Sequence, residues 1–450
     1  MAKARFSRIG FILAAAGAAV GLGNIWKFPY ITGLYGGGAF VFVYLITVML
    51  IGFSILAAEM FIGYKGGKDA VTSFEVVAPE SKKGWKYAGF MFISGMIIMT
   101  FYSVVIGWIF HYIFLSATGS LPETMDQAKT TFDTLVGLSP LTATLWHFLA
   151  TLFVAVVLMG GIKAGIEKAN LILMPMLMAI LIGLLIYAMN FDGFTKALAF
   201  MFEPDWSKLN SEAIVRAVGH AFFTLSIGLG TMITYAASMS HKQSVFKAAF
   251  WVTMLDTLIA LIAGVMLYSF IFQFNAEPGQ GPGLVFKTLP IVLAKLGTTG
   301  SLLAAIFFIG LAFAGLTSAI SLTEPAVEYF IQRFHWSRPK AVIVNTSLYF
   351  IVGIGAILSY TKAYGKTFSI GGTPLFDALE FSTDSILLPL GGLLIAIFVG
   401  YVLPEHVREE MRKHHRVPLR VYKVWLFSLR YIAPLAIVFM MLNNFGIIKI

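Results

Sequence analysis

Apolar residues run through this chain in stretches about twenty long, parted by short polar segments, from near residue 10 to near residue 446. A helix rising 1.5 Å per residue needs roughly 20 apolar residues to cross the hydrocarbon of a bilayer. Eleven spans are predicted on that basis, near 10–34, 38–64, 87–116, 141–160, 166–190, 213–239, 243–273, 295–332, 340–359, 374–401 and 424–446. Two of them break the pattern. Residues 11–30 carry Gly17, Gly21, Gly23 and Asn24 inside an otherwise lipid-compatible run, and residues 217–237 carry Thr224, Ser226, Gly228 and Gly230 at their centre. Hydrocarbon offers no hydrogen bonds, so irregular backbone at membrane depth persists only where it lines a cavity or is held by protein. Paired interruptions in corresponding halves of a chain point to the central binding site of a transporter.

Composition sharpens this reading. Hydrophobic residues make up 58% of the 450 and charged residues 12%, against a usual charged share of about 25%. With a mean hydropathy of +0.84, the chain reads as an all-α polytopic membrane protein rather than a soluble core with one anchor. Cysteine is absent, which excludes disulfides, thiolate nucleophiles and cysteine metal sites. HExxH and GxSxG motifs are also missing, so an intramembrane enzyme has little support.

The net charge of +10 is a topology signal. About two thirds of the 32 basic residues fall in alternate loops: Lys3, Arg5, Arg8; Lys65, Lys68, Lys82, Lys83, Lys86; Lys163, Lys168; Lys242, Lys247; Arg333, Arg338, Lys340; and Arg408, Arg412, Lys413, Arg416, Arg420, Lys423. The intervening loops are sparse or acidic. Positive loops stay inside, which places the N-terminus in the cytoplasm, the C-terminus outside, and nucleic acid off the list of partners. The short basic N-terminus lacks a cleavage pattern, so no signal peptide is expected.

Spans one to five (10–190) and six to ten (213–401) each open with an interrupted helix, and span eleven (424–446) stands apart. Five is odd, so the second half would insert upside down, giving a 5+5 inverted repeat with helices 1 and 6 broken.

Four strings carry a resemblance: GAAVGLGNIWKFPY (17–30), YGGGAF (35–40), FFTLSIGLG (222–230) and FAGLTSAI (313–320). In this order they resemble the neurotransmitter:sodium symporter family, and its bacterial amino-acid members in particular, over essentially the whole chain. The resemblance implies sodium-coupled uptake by alternating access. It further implies two sodium ions, no organic cofactor, a bacterial cytoplasmic membrane, and a monomer or weak homodimer.

A broken helix exposes backbone N–H groups where the dipole also favours an anion. Gly21, Leu22 and Gly23 offer such donors for a substrate carboxylate. Glycines also serve close helix packing, but Asn24 beside them and the second break favour binding. The resemblance adds the hydroxyl of Tyr102 and a pocket of Ala19, Val20, Phe223, Thr224, Ser226, Leu229 and Leu322. Sodium takes hard oxygen ligands. One implied site uses Ala19, Asn24, Thr224, Asp256 and the substrate carboxylate; the other uses carbonyls of Gly17, Val20 and Ala314 with the hydroxyls of Thr317 and Ser318. Taken alone, those two hydroxyls equally suit back-bonds to the preceding helical turn.

Asp256 sits mid-span, where a carboxylate costs roughly 2.5–3.5 kcal/mol on insertion scales and needs a cation or a proton. Chloride-dependent members have asparagine there, so chloride-independent transport is expected. Amine carriers have an acid where this chain has Gly21, so the solute should bring its own carboxylate. Leu229 replaces a phenylalanine of the leucine-carrying bacterial member, which suggests room for apolar or aromatic side chains.

Lys27 and Glu380 match the outer gate, with Phe223 as a lid; lysine lacks the bidentate geometry of the family's usual arginine. The inner gate departs from the pattern. Arg5 is a substitute for its arginine, and the acidic partner aligns near Gln332. Gly165 and Pro175 keep a Gly-x9-Pro spacing that the resemblance associates with unwinding of span five. Glu59 is expected to hold free amides of the span-six break. A proton-coupled carrier, a non-transporting solute sensor and a channel on the same fold are the alternatives.

Overall fold

The structure, a computed structural model, describes residues 5–240, 242–276 and 281–448; Lys3, one of the inward-assigned charges, lies outside them. Among the described residues, nine helices are long and apolar enough to cross a bilayer, and Arg8–Ala19 with Gly23–Leu34 forms a tenth span bent by 52°. The segment predicted at 213–239 is two short helices, Ser211–Thr224 and Thr231–Ala236. Neither crosses alone, so a count of eleven depends on joining these halves across 225–230.

The two breaks have different local causes. In span one, Val20 turns extended at φ −69°, ψ 107°, and a short π turn over Gly23–Lys27 restarts the helix. In span six, Ser226, Gly228 and Gly230 all have positive φ, at 50°, 80° and 74°. Gly228 also admits a neighbour: a Cβ there would stand 2.5 Å from the Leu388 carbonyl oxygen. Ser226 is the informative residue, because a left-handed serine costs roughly 1–2 kcal/mol and such strain persists only where surroundings enforce it.

Glu80–Ala117 (span three) and Gly297–Phe334 (span eight) form the centre, each with 78% of its most apolar stretch buried. Gly161–Ala188 (span five) and Leu419–Asn444 (span eleven) are only 33% buried and present side chains such as Leu435 and Ile186 outward, as lipid-facing helices do. The remaining spans are Gly38–Gly66 (two), Pro140–Met159 (four), Val245–Gln273 (seven), Arg338–Leu358 (nine) and Leu375–Val402 (ten). Between spans, Met125–Asp133, Asp192–Phe202 and Leu284–Ala294 cap one end, with a small hairpin of Ser369–Ile370 and Thr373–Pro374. Glu405–His414, in the Arg/Lys-rich stretch before span eleven, caps the other.

Candidate functional site

The first break sits against spans three, six, seven and eight, and its free polar groups are taken up by side chains. The Gly21 amide donates to Asn24 Oδ1 at 2.9 Å, and the Leu22 amide donates to the Tyr102 hydroxyl at 3.3 Å. Asn24 Nδ2 in turn donates to the Asp256 carbonyl at 3.0 Å and to its Oδ1 at 2.8 Å. The Thr224 hydroxyl meets both Asp256 carboxylate oxygens, at 3.1 and 3.0 Å. Asn24, Thr224 and Asp256 are all essentially buried. An oxygen-rich cluster therefore joins the first break to spans six and seven.

A second oxygen cluster lies on the other side of the break. The Ser318 hydroxyl is within 3.3 Å of the Gly17 carbonyl and 3.1 Å of the Val20 carbonyl. Thr317 makes the back-bond instead, reaching Phe313 and Ala314 carbonyls at 3.0 and 3.1 Å. Thus Gly17, Val20, Ala314, Thr317 and Ser318 come together, with Ser318 alone bridging the two helices.

Between the clusters is a small hollow of about 20 Å³, lined by Ala19, Gly21, Leu22, Gly23, Tyr102, Phe223, Thr224, Ser226, Leu229, Ser318 and Leu322, with Ile98 and Leu388. Of the expected pocket residues only Val20 is missing from this lining; its carbonyl faces Ser318 instead. That room suits about one water, so admitting a larger solute requires the walls to part. Ile98 and Leu388 were not foreseen. Leu388 follows Glu380 and Asp384 at helical spacing along span ten, the one sequence signal that could have found it.

Above the hollow lies a chamber of about 430 Å³ whose lining includes Trp26, Lys27, Tyr30, Phe101, Trp108, Phe132, Tyr360, Phe376 and Glu380. The two spaces share Leu22, Gly23, Tyr102 and Phe223. The Lys27 ammonium sits 4.1 Å from the Phe223 ring centroid, a cation–π contact that closes the floor of the chamber. The expected Lys27–Glu380 pair is corrected: Lys27 Nζ bonds Asp384 Oδ2 at 2.5 Å. Glu380 lies one helical turn away, so the shorter aspartate at 384 takes the ammonium while Glu380 faces the chamber.

The second break is held differently. Glu59, fully buried, accepts from the Gly228 amide at 2.9 Å and the Met232 amide at 3.2 Å, as expected of it. Ser226 donates to the Ala18 carbonyl at 2.7 Å, tying the two breaks together.

The opposite end is sealed. Phe6 is buried, its ring 5.9 Å from Phe11 and 5.5 Å from Tyr235, and its amide donates to Ser238. Arg5 itself is exposed, and the plug is its neighbour. Gln332 joins Glu328 at 2.7 Å to the Asp69 amide at 3.0 Å. Arg338 bonds Glu324 at 2.5 Å, Glu328 at 3.4 Å and the Leu158 carbonyl at 2.6 Å. The expected unwinding segment is wound: Gly165 lies in a π turn, Gly161–Glu167, and Pro175 inside the helix Lys168–Ala188.

A helical membrane protein whose two broken helices face one small hollow, with a larger chamber on one side and a sealed network on the other, is built as a solute carrier. Comparison with known proteins agrees. The model of the sodium:neurotransmitter symporter family matches residues 4–136 and 128–449. A relative in Bacillus subtilis (strain 168), an uncharacterized sodium-dependent transporter called YhdH, is 32% identical over 98% of both chains. The sodium-dependent nutrient amino acid transporter 1 of Drosophila persimilis is 24% identical over 82% of this chain and 66% of its own. A crystal structure of MhsT in complex with L-phenylalanine superposes with a TM-score of 0.88 at 40% identity, covering 98% of this chain and 100% of that one. The chain belongs to the sodium:neurotransmitter symporter family. It is a sodium-coupled, multi-pass membrane transporter of small molecules and not an enzyme.

Proposed function

We propose that the cargo is a neutral, apolar or aromatic L-amino acid, taken up across a bacterial cytoplasmic membrane with two sodium ions and without chloride. The observation that carries this reading is the first break: backbone donors at Gly21 and Leu22 lie between two oxygen clusters. A carboxylate displacing the Asn24 and Tyr102 oxygens would meet those amides at a helix start, where the dipole favours an anion. It would also complete the oxygen set of Ala19, Asn24, Thr224 and Asp256 around a sodium ion. The second ion belongs to Gly17, Val20, Ala314, Thr317 and Ser318. Gly21 supports an amino acid over an amine, since a Cβ there would lie 2.7 Å from Ser318 Oγ, leaving no room for an acidic side chain. Both Asp256 oxygens accept hydrogen bonds, which suits a fixed negative charge beside sodium and makes chloride unnecessary. The L-phenylalanine bound to MhsT supports the side-chain class.

In this reading the solute and sodium enter through the 430 Å³ chamber, Lys27 and Phe223 close over them, and the Phe6 plug and span five then yield inward. The N-terminus is cytoplasmic, the C-terminus outside, and the halves 10–190 and 213–401 rock as inverted repeats around the site. Each charge crossing 100 mV contributes about 2.3 kcal/mol, so two ions give about 4.6 kcal/mol, roughly 10³-fold accumulation. One ion would give less than about a hundredfold. The test is uptake of labelled amino acids into proteoliposomes with an imposed sodium gradient and membrane potential, with chloride replaced by gluconate. Sodium-driven accumulation of a neutral amino acid in both anions supports the reading; sodium-independent uptake of every amino acid tried refutes it.

A further inference from the structure

The sodium positions proposed above leave one polar side chain on span five without a role. Asn170 is fully buried. Its amide nitrogen donates to the Ile166 carbonyl at 2.9 Å, while its Oδ1 has no hydrogen-bond partner among the described residues. An orphaned amide oxygen in a dry interior costs roughly 1–3 kcal/mol, and a native chain keeps such a cost where something else meets the oxygen. Its position says what. A Cβ built on Gly17 would lie 2.1 Å from Asn170 Oδ1 and 3.1 Å from Thr317 Cβ. The oxygen therefore rests directly on Gly17, beside Thr317, at the cluster in which the Ser318 hydroxyl already bridges the Gly17 and Val20 carbonyls. The neighbouring cluster is made of carbonyls and hydroxyls, and carboxamide oxygen is a ligand type that hard cations accept.

We propose that Asn170 Oδ1 is a further oxygen donor to the sodium ion at the Ser318 cluster, which makes span five part of that site. This inference depends on the sodium assignment of Gly17, Val20, Ala314, Thr317 and Ser318. Asn170 also lies between Gly165 and Pro175, within the segment that must open to release the ion. Three residues earlier, Glu167 Oε1 accepts from the Ser7 amide at 3.2 Å, and a Cβ on Gly10 would lie 2.2 Å from the same oxygen. Span five thus grips the first helix at two glycines, one contact structural and one dependent on the ion. Sodium bound at Asn170 holds the segment wound; its departure removes the reason for the grip.

The test is thermal stabilisation of the purified full chain in detergent, titrated with sodium chloride at constant ionic strength using choline, without amino acid so that the Asn24–Asp256 sodium site lacks its carboxylate. For Asn170→Ala the sodium midpoint is expected to rise about five- to tenfold, the size of one lost ligand contact of about 1–1.4 kcal/mol. Asn170→Asp loses the donor to Ile166 but keeps an oxygen, so its midpoint should stay at or below that of the wild type. If Asn170 serves only through its bond to Ile166, both variants lose melting temperature equally at every sodium concentration with an unchanged midpoint, and the proposal falls. A wild-type protein that sodium does not stabilise overturns the sodium assignment itself. A wild-type response retained unaltered in Asn170→Ala overturns only the role of Asn170.

Discussion

The two broken helices solve one problem with different chemistry. In span six the freed amides of Gly228 and Met232 are held by the carboxylate of Glu59, a partner buried in the protein and supplied by span two. In span one the freed amides of Gly21 and Leu22 rest on an amide oxygen and a phenolic hydroxyl. Those two oxygens are neutral, and one belongs to a residue that also contacts Asp256. A charged acceptor roughly doubles the strength of a hydrogen bond to an amide, so a solute carboxylate can displace Asn24 and Tyr102 but not Glu59. On the proposed reading, span six keeps its brace while span one exchanges partners when the solute binds.

The largest expected effect breaks the permanent brace. Glu59→Ala leaves two buried amides unpaired at roughly 1–3 kcal/mol each, and its melting temperature should fall by the same amount with or without sodium; a fall confined to sodium-free buffer would show that Glu59 belongs to the ion site. Next comes Asp256→Asn. Loss of the buried charge should raise the sodium requirement for amino-acid binding by tenfold or more, about 1.4 kcal/mol per decade, as scored by titrating binding of labelled amino acid. Gly21→Ala pushes a methyl to 2.7 Å from Ser318 Oγ and 3.0 Å from the Tyr102 hydroxyl. It should abolish amino-acid binding and weaken stabilisation by sodium as read by thermal melting, because Ser318 can yield only by giving up its bridge between the Gly17 and Val20 carbonyls. Tyr102→Phe removes the hydroxyl that, once freed from the Leu22 amide, would donate to the solute carboxylate, a charge-assisted bond worth about 1.5 kcal/mol or more, so amino-acid affinity should weaken about tenfold in equilibrium binding with the sodium midpoint unmoved. The smallest effect belongs to Lys27→Met. It unpairs Asp384, whose side chain is only 22% exposed, and removes the cation from the face of Phe223; amino-acid dissociation in stopped flow should quicken about fivefold.

The fold was legible because the membrane imposes its own period. Stretches such as 87–116 and 295–332 have no alternative to spanning, and they form the buried centre. The breaks were legible for the complementary reason, since glycine and hydroxyl residues at mid-span conflict with hydrocarbon. Glu59 could be placed because the resemblance aligns it with a residue that holds the free amides of the broken helix, and the structure shows it doing so. What could not be read were choices between neighbours on one helical face. Glu380 and Asp384 are a turn apart, and only side-chain length and helix tilt decide that Asp384 meets Lys27. The inner plug is hidden for a similar reason: the resemblance points to a charge at Arg5, whereas burial selects the apolar Phe6. Asn170 gave no signal in sequence, because an amide in a membrane helix is silent until the helix facing it is known to be glycine at Gly17.

The disparity between the 20 Å³ hollow and the 430 Å³ chamber has a pharmacological consequence. A ligand with a broad or branched tail gains most by lodging in the roomier space, among Trp26, Trp108 and Phe376, with its head pressed toward Phe223. Wedged there, it would prop the lid ajar and stall the carrier. Blockers should therefore be bulkier analogues of the cargo, and their potency should track aromatic girth more than fidelity to the transported head group.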